Sequence, residues 1–359
     1  MKTDLKRLRT VIDSLDQRLV AMLNRRASMA LKIGALKNAG RHDIYVPSRE
    51  KQVFENVRAA NKGPLPNPCL LHIYREIMSS SLALERCIRV AFLGPESTFT
   101  HQAARARFGG SVDYRACETI TDVFDAVCKE QADYGVVPIE NSTDGAVTHT
   151  FDQFVGTPLK ICSEIYLPIS QNLMARTPAR SLRRIYSKGE VFGQCRNWLR
   201  AECPKAELIP VSSTARAAEM ASKERGTAAI AGLLAAEMYS LKVLARDIQD
   251  MRGNITRFLV IGRSCPPSSG DDKTSLMFAI KHKAGSLHQA LQAFKTYGIN
   301  MTKIESRPSK QKAWEYFFFV DVEGHAEDAK VRKALHVLET HCVHLAVLGA
   351  YPKAPEGAG

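Results

Sequence analysis

The chain has 359 residues, of which 45% are hydrophobic and 24% charged, a composition typical of a globular protein with two or three domains. It contains no run of about 18 apolar residues, so we expect a soluble protein without a membrane-spanning helix. The net charge of +13 could favour nucleic acid, but basic and acidic residues are interleaved and no zinc-finger or RNP pattern occurs. The nine cysteines are never spaced as CxxC, which argues against a disulfide framework or a zinc ribbon.

The N-terminal segment predicts one long helix. Apolar residues recur at spacings of three and four from position 5 to position 36, and such a stretch of about 32 residues extends about 48 Å. Because two short helices could not cover that length, we expect a partner subunit and at least a homodimer. Arg26 interrupts the apolar seam, and a buried charge there needs a counter-charge or an anionic ligand. The charged start, MKTDLKRLRT, lacks the apolar core of a secretory signal, so we expect a cytoplasmic protein.

Two further helices are predicted at residues 48 to 61 and 69 to 86, because the intervening KGPLPNP cannot continue a helix. Residues 1 to 88 are therefore expected to form an all-α domain. They contain 16 lysines and arginines against 8 aspartates and glutamates, which favours an anionic ligand.

The pattern changes at RVAFL, a short apolar strand at residues 89 to 93. Further strands, each joined to a helix, predict an α/β domain over residues 89 to 264: DYGVVPI, RRIYS, ELIPV and TAAIAG. The segment SCPPSSGDDK, residues 264 to 273, is typical of a linker. The element order βαββαβ over residues 273 to 352 then predicts a small ferredoxin-like domain.

Charged residues on the predicted helices form the first candidate site. Arg26 and Lys37 are 11 residues apart, which places them within about 20° of each other around the helix. Ser81 and Glu85 also share a face, and an ordinary solvated surface is the simpler interpretation of that pair. The seam position of Arg26 instead favours an anionic ligand, since burying an unpaired guanidinium costs several kcal/mol.

Residues 4 to 86, with LKRLRTVIDSLDQRLVAMLNRRASMALKIGALK and REIMSSSLALE, resemble the all-helical chorismate mutases, which are intertwined dimers. The resemblance implies a chorismate site formed by Arg9, Arg26, Lys37, Arg49, Glu50, Ser81 and Glu85. In it, Arg26 and an Arg9 from the other subunit would bind the two carboxylates. Lys37 and Glu85 would flank the ether oxygen as the catalytic residues.

Four strings stand out in the α/β domain: GPESTFTHQAA, VVPIENSTDGAV, YSKGEVFGQC and NITRFLVIG. Singly they suit caps and turns, with Thr98 capping a helix and Asn141 in a turn. Together, in this order, they resemble prephenate dehydratase over residues 89 to 263, a two-lobed α/β fold of the periplasmic-binding-protein type with its active site between the lobes. The resemblance implies that Thr256 is the catalytic hydroxyl. The implied prephenate contacts are Thr98, Thr100, Glu140, Asn141, Ser187, Gln194, Ser213, Thr214, Arg257 and Phe258.

The last domain contains GSLHQAL and IESRP, which resemble the phenylalanine-binding signatures of ACT domains attached to prephenate dehydratases. The resemblance implies an allosteric phenylalanine site that includes Gly285, Leu287, Asn300, Glu305 and Ser306.

The three resemblances together imply a bifunctional enzyme that rearranges chorismate to prephenate, converts prephenate to phenylpyruvate, and is inhibited by phenylalanine. No metal-ligand set and no GxGxxG occurs, so neither a metal nor a nicotinamide cofactor is implied, and no nucleic-acid or membrane partner is expected. Two other functions, a solute-binding protein and an amino-acid sensor, would account for fewer of these sequence features. A solute-binding protein of the same fold should carry a signal peptide, and a purely regulatory amino-acid sensor would leave Arg26 and Thr256 unused.

Overall fold

The computed structural model describes residues 2–40, 45–176, 182–281, 283–309 and 316–354, and in the first helix it describes the side chains of residues 4–36. The chain forms two compact units. The N-terminal unit comprises residues 1–88 with 108–113, and the C-terminal unit comprises residues 89–107 with 114–359. No helix in the described part is long and apolar enough to cross a membrane.

Three helices make up most of the N-terminal unit: α1 (Lys2–Gly40), α2 (Pro47–Ala60) and α3 (Asn67–Glu85). This confirms the predicted helical domain. Proline occupies the first turn of both α2 and α3, where its missing N–H is not needed. Helix α1 approaches α3 closely at Gly34, where a Cβ would lie 2.7 Å from Cγ of Glu85.

Much of the apolar seam of α1 is exposed within the single chain. Leu8, Leu15, Leu19 and Met22 each leave half or more of their surface accessible. Because α1 is far longer than the two helices beside it, its own unit cannot bury this stripe. Contiguous apolar surfaces of this kind are unusual on monomeric soluble proteins.

The first lobe of the C-terminal unit is a sheet of β1 (Arg89–Leu93), β2 (Asp113–Cys117), β3 (Tyr134–Asn141), β4 (Gly145–Ala146), β5 (Lys160–Pro168) and β11 (Ile255–Gly262). Its helices are α4 (Phe99–Phe108), α5 (Ile120–Cys128) and α6 (Thr148–Gln153). The strand order is β2-β1-β3-β11-β5, with β4 paired to β3. Strand β11 runs antiparallel between β3 and β5, so the last strand of the lobe lies inside the sheet.

The second lobe is a sheet of β6 (Asn172–Ala175), β7 (Arg184–Ser187), β8 (Glu207–Pro210), β9 (Thr227–Ala231) and β10 (Lys242–Ala245), in the order β10-β6-β9-β7-β8. Its helices are α7 (Gly189–Gln194), α8 (Arg196–Glu202), α9 (Thr214–Lys223) and α10 (Leu233–Met238). The chain enters this lobe after β5 and leaves it before β11, so two crossovers connect the lobes. The predicted two-lobed fold is confirmed.

The C-terminal domain follows the predicted order: β12 (Asp272–Ile280), α11 (Ser286–Thr296), β13 (Met301–Pro308), β14 (Tyr316–Glu323), α12 (Ala329–His341) and β15 (Cys342–Pro352). Its strand order, β13-β14-β12-β15, is that of the ferredoxin-like plan. One face of the sheet packs on α11 and α12, and the other packs on the first lobe. Across that second interface, the Phe151 and Phe319 rings lie 4.9 Å apart. Gly349 lets β15 approach β5, since a Cβ there would lie 2.2 Å from the Ile161 carbonyl oxygen.

The segment at residues 264 to 273 is not linker throughout. Strand β12 begins at Asp272, and Lys273 is buried with its ammonium 2.8 Å from a carboxylate oxygen of Glu164 in the first lobe. Composition alone indicated a linker because the segment is polar and has few apolar residues. The burial of Lys273 comes from a partner 109 positions away, which no local pattern reveals.

Candidate active sites

The helical candidate site lies where α1 meets α3. Nη1 of Arg26 donates to Oγ of Ser81 at 2.7 Å, and the Ser81 hydroxyl donates in turn to the Ile77 carbonyl at 2.7 Å. Ser81 is buried, and Glu85 lies one turn further along α3 against Gly34. The structure therefore brings Arg26, Ser81 and Glu85 to one contact between two helices. The simpler surface interpretation of Ser81 does not hold, because its hydroxyl is inside the unit.

The other four predicted chorismate contacts are Arg9 and Lys37 on α1 and Arg49 and Glu50 on α2. Glu50 is half-buried on α2, whereas Arg49 is exposed and donates to Gln52 at 2.5 Å. Arg9 is exposed and 17 residues before Arg26 on the same helix, about 25 Å away along its axis. It therefore cannot reach the Arg26 site of its own chain. Lys37 belongs to α1, but its side chain lies outside the described residues.

The second candidate site is built on the pairing of β3 with β11, which sets Asn141 opposite Thr256. Oδ1 of Asn141 accepts from the backbone N–H groups of Thr143 and Asp144, both at 2.9 Å. The amide nitrogen must therefore be the donor on the other side, where it reaches Oγ1 of Thr256 at 2.8 Å and Oδ1 of Asn254 at 2.6 Å. Since Thr256 accepts through its oxygen, its own hydroxyl proton can be donated to a ligand.

A cavity of about 370 Å³ lies between the lobes beside this pair. Its lining comes from both lobes and both crossovers: Thr143, Asp144, Ile169, Gln171, Glu190, Gly193, Gln194, Gln249, Asp250, Met251 and Asn254. Gln194 was predicted from the sequence. Gln171 was not, although it is only 2% exposed and its amide donates to Oε1 of Gln194 at 3.3 Å. No local pattern singles out Gln171, because it lies in the crossover between β5 and β6, which becomes identifiable only once the two lobes are known.

Several predicted cleft residues have structural roles in this fold. Oγ1 of Thr98 accepts from the His101 N–H at 3.4 Å, and Oγ of Ser213 accepts from the Arg216 N–H at 3.0 Å, so both act as helix caps. Oγ of Ser187 is fully buried and donates to the Ile230 carbonyl at 2.8 Å.

Three others are buried: Thr100, Thr214 and Phe258 expose 6%, 9% and 2% of their surface.

Arg257 and Glu140 lie on the other side of the sheet from the cleft pair, contrary to the prediction. Neighbouring residues of a strand point to opposite faces, so with Asn141 and Thr256 toward the cleft, Glu140 and Arg257 point toward the C-terminal domain. There Nη1 of Arg257 donates to Glu140 at 3.0 Å and to Asp321 at 2.6 Å, and only 4% of the arginine side chain is exposed. A guanidinium held in this way cannot bind the carboxylate of a ligand in the cleft.

The predicted effector residues are divided between the two ends of the C-terminal sheet: Gly285 and Leu287 follow the end of β12 that lies near Ser306, whereas Asn300 is at the opposite end. Gly285 precedes α11 with a φ of 82°, a left-handed conformation that favours glycine, and Leu287 is half-buried in the first turn. Asn300 precedes β13, where Glu305 is half-buried and Ser306 exposed. In the described part of the chain β13 is an edge strand, so its outer side is available to a ligand or to another chain.

Among the described residues, no group of three or more histidine, cysteine, aspartate or glutamate side chains is arranged to hold a metal ion.

Three family models match consecutive parts of the chain: chorismate mutase type II over residues 8–86, prephenate dehydratase over residues 90–266 and the ACT domain over residues 274–340. A bifunctional chorismate mutase/prephenate dehydratase from Aquifex aeolicus (strain VF5) is 47% identical over 356 residues, which cover 98% of each chain. This chain belongs to the bifunctional chorismate mutase/prephenate dehydratase family. It is therefore an enzyme with a mutase, a dehydratase and an ACT domain, as the sequence motifs predicted.

Solved structures match the dehydratase and ACT portion. Prephenate dehydratase from Arthrobacter aurescens, in complex with L-Phe, is 35% identical with a TM-score of 0.68, over 74% of this chain and 90% of that chain. GqqA, described as a novel type of quorum quenching acylase, is 28% identical with a TM-score of 0.69, over 74% of this chain and 98% of that chain. Because one fold carries two named activities, the fold alone does not decide the reaction. The full-length relative does place this bifunctional chain in its family.

Proposed function

We propose that this enzyme rearranges chorismate to prephenate in its N-terminal unit and converts prephenate to phenylpyruvate, carbon dioxide and water in the cleft of its C-terminal unit. The observation that carries the second assignment is the Asn141–Thr256 pair beside a cavity of about 370 Å³. The first assignment is carried by Arg26 and Ser81 at the contact between α1 and α3.

The mutase reaction breaks the ether C–O bond of chorismate as a C–C bond forms elsewhere, with no net proton transfer. The site needs only to hold a compact substrate and to stabilise negative charge that develops on the ether oxygen. Arg26, fixed by Ser81, is placed to bind a carboxylate in the bidentate manner of a guanidinium. Lys37 and Glu85 are proposed to act at the ether oxygen, and Arg49 and Glu50 to complete the polar surroundings.

Completion of that site requires a second subunit, which we propose is another copy of this chain. The exposed apolar stripe on α1 supports this, as does the distance of about 25 Å between Arg9 and Arg26 of one chain. A dimer with intertwined first helices would bury the stripe and bring the partner's Arg9 to the site.

In the dehydratase reaction, the bond from the ring to its carboxylate breaks and the electron pair enters the ring. The ring C–O bond breaks at the same time, and the departing hydroxide takes a proton to become water. Thr256 is proposed to donate a hydrogen bond to that oxygen. The hydrogen bond that it accepts from Asn141 makes its hydroxyl a stronger donor, because successive hydrogen bonds polarise one another.

Recognition of the pyruvyl group is proposed to rest on amides rather than on Arg257. The cavity lining includes Gln171, Gln194 and Asn254, whose side-chain amides are neutral hydrogen-bond donors. A hydrogen bond from a neutral amide to an ionised carboxylate is stronger than one between two neutral groups.

The C-terminal domain is proposed to bind phenylalanine and to inhibit the dehydratase. The match to the ACT family model over residues 274–340 and the L-Phe complex of the Arthrobacter aurescens relative support this. Calorimetry with phenylalanine tests it: Glu305→Gln should weaken binding about tenfold through loss of a charge-assisted hydrogen bond, whereas Glu327→Gln on an exposed loop should not. Equal affinities in the two variants would remove Glu305 from the site.

We further propose domain boundaries at residues 1–88, 89–264 and 273–352, close to the ranges matched by the family models. The cytoplasmic location expected from the charged N-terminal segment stays a prediction.

The decisive experiment is to incubate the purified enzyme with chorismate and follow prephenate and phenylpyruvate separately. We expect prephenate to form first and phenylpyruvate to accumulate. Accumulation of prephenate alone would contradict the dehydratase assignment, and unconsumed chorismate would contradict the mutase assignment.

A further inference from the structure

A group of six charged side chains joins the first lobe to the C-terminal domain. This interdomain ion cluster consists of Glu140, Glu164, Arg257, Lys273, Lys303 and Asp321. Arg257 contacts all three carboxylates, at 2.9 Å for Glu164, 2.6 Å for Asp321 and 3.0 Å for Glu140. Lys273 pairs with Glu164 at 2.8 Å, and Lys303 pairs with Glu140. The cations and anions of this cluster are equal in number.

Two carboxylates of the cluster, Asp321 and Glu140, have pKa values below the ordinary range. Burial alone would raise the pKa of Asp321, but the charge of Arg257 and a hydrogen bond from Ser275 hold that pKa below its ordinary value. Burial would likewise raise the pKa of Glu140, but Lys303 and Arg257 hold it below its ordinary value. A balanced cluster tolerates burial, whereas loss of one member leaves an uncompensated buried charge. The cluster therefore constrains the relative positions of the strands that carry it.

One end of the cluster is adjacent to the cleft pair. In the ladder between β3 and β11, Glu140 is paired with Arg257 and, one position along, Asn141 is paired with Thr256. Glu140 and Arg257 form an ion pair on one face of the sheet, and Asn141 and Thr256 form a hydrogen bond of 2.8 Å on the other face.

The backbone ladder does not by itself determine the geometry at this point. Strand β11 shifts its register against β3 between Arg257 and Phe258. An irregularity of this kind bends and twists a strand locally, so side-chain contacts beside it help to set where the neighbouring residue points.

The other end of the cluster lies next to the proposed effector site. Burial alternates along β13, and Lys303 and Glu305 are on its same, half-buried face. Lys303 therefore connects the strand that carries Glu305 directly to Glu140, the chain neighbour of Asn141.

We propose that Lys303 and Asp321 are positioning residues for the dehydratase: through Glu140 and Arg257 they hold Asn141 and Thr256 in the arrangement that reacts. The C-terminal domain thus contributes to basal catalysis. A ligand that displaces β13 would also displace Lys303 and, through the ion cluster, Asn141 and Thr256 in the cleft. This inference rests on the proposed function of Thr256.

The test uses the full-length enzyme with Lys303→Met and, separately, Asp321→Asn. We expect the dehydratase kcat to fall about tenfold or more, since small displacements of a reacting group are costly, while the KM for prephenate stays within about twofold because neither residue touches substrate. Mutase activity of the same preparation should be unchanged. If Asp321→Asn fails to fold, Lys303→Met decides, because Lys303 lies at the rim of the cluster with 15% of its side chain exposed.

Two further variants separate positioning from general stability. Lys303→Arg retains the charge and should restore kcat to within about threefold of the wild type. Arg307→Met is the matched control: Arg307 lies on the same face of β13 and pairs across the same interface with Asp152 at 3.3 Å, but does not contact the cluster. It should retain the wild-type kcat. A wild-type kcat in Lys303→Met, or an equal loss in Arg307→Met, overturns the inference.

Thr256→Ala is measured alongside, so that the two proposals can fail separately. Loss of dehydratase activity in Thr256→Ala together with full activity in Lys303→Met overturns the positioning inference alone. Full activity in Thr256→Ala overturns the proposed function of that residue and, with it, the inference built on it.

Discussion

The N-terminal unit leaves apolar side chains on its surface, with Leu8 61% and Met22 62% exposed, whereas the C-terminal unit buries Arg257 and Asp321 between two of its domains. Exposed apolar side chains and buried charges each cost free energy unless a complementary surface or a counter-charge lies against them. The exposed stripe needs another helix surface, and the buried charges need counter-charges within a few ångströms. One chain does not provide the helix surface that would cover the stripe, but it does provide the counter-charges for Arg257 and Asp321.

This difference bears on how each reaction depends on assembly. The proposed mutase site needs a second chain, because Arg9 and Arg26 are too far apart on one helix to meet. The cavity proposed as the dehydratase cleft is instead lined by both lobes and both crossovers of one chain. We therefore expect the mutase to depend on association and the dehydratase to depend on contacts inside the chain.

The largest expected effect separates the two sites. Thr256→Ala should lower the dehydratase rate about 1000-fold, within the range for loss of a positioned proton donor, and leave the mutase rate within about twofold. Thr256→Ser, which retains a hydroxyl, should keep a substantial part of the activity. The measurement is phenylpyruvate formation from prephenate together with prephenate formation from chorismate. Loss of both activities in a folded Thr256→Ala protein would show that the sites are not independent.

The next effect concerns the mutase alone. Arg26→Ala should lower mutase kcat/KM about 100-fold, or about 2.7 kcal/mol, because a carboxylate contact and the support from Ser81 are both lost. Arg25→Ala removes the same charge from the adjacent, exposed position and should have little effect. Similar losses in both variants would indicate a general dependence on positive charge rather than a site at Arg26.

A third prediction tests association directly. Leu15→Glu places a charge in the exposed apolar stripe and should dissociate the enzyme in sedimentation experiments, lowering the mutase rate about tenfold at dilute concentration. The dehydratase rate should change little. Gln17→Glu adds the same charge outside the stripe and serves as the control. A dissociated Leu15→Glu protein with full mutase activity would contradict the shared site.

The smallest effect is a pH dependence located in the C-terminal unit. Burial, with a further contribution from the charge of Arg105, lowers the pKa of His101 from 6.5 to about 4, and its Nδ1 accepts from the Ser97 N–H at 3.1 Å. The unfolded chain therefore takes up the proton more readily, so stability falls as pH drops from 6.5 toward 4. Between pH 7 and pH 5.5 the loss should be about 1 kcal/mol.

Trp198 lies in α8 of the C-terminal unit and the sequence of the N-terminal unit contains no tryptophan, so tryptophan fluorescence reports unfolding of the C-terminal unit. Denaturant titrations at the two pH values should show the loss in the wild type and in His72→Gln, which changes an exposed histidine of α3. In His101→Gln the difference between the two pH values should shrink. An unchanged difference would assign the pH dependence to other groups.

Part of the site could be predicted from the sequence because its signals are local. The interrupted seam singled out Arg26, and the two strings that contain Asn141 and Thr256 were both recognisable. Thr98 fits the helix-cap interpretation that its sequence position offered, and Ser213 likewise caps a helix that begins directly after it.

By itself, the sequence determined the three consecutive domains, their secondary structure and the apolar stripe, because these follow from spacings of a few residues along the chain. Only the tertiary structure decided which face of β11 each residue occupies and what lies opposite. Arg257 was predicted in the cleft and Lys273 in a linker, but both lie in the interdomain ion cluster. Gln171 was not predicted and lines the cavity. Their partners are 23 to 117 positions away in the chain, and burial of a charge depends on partners that only the folded chain brings together.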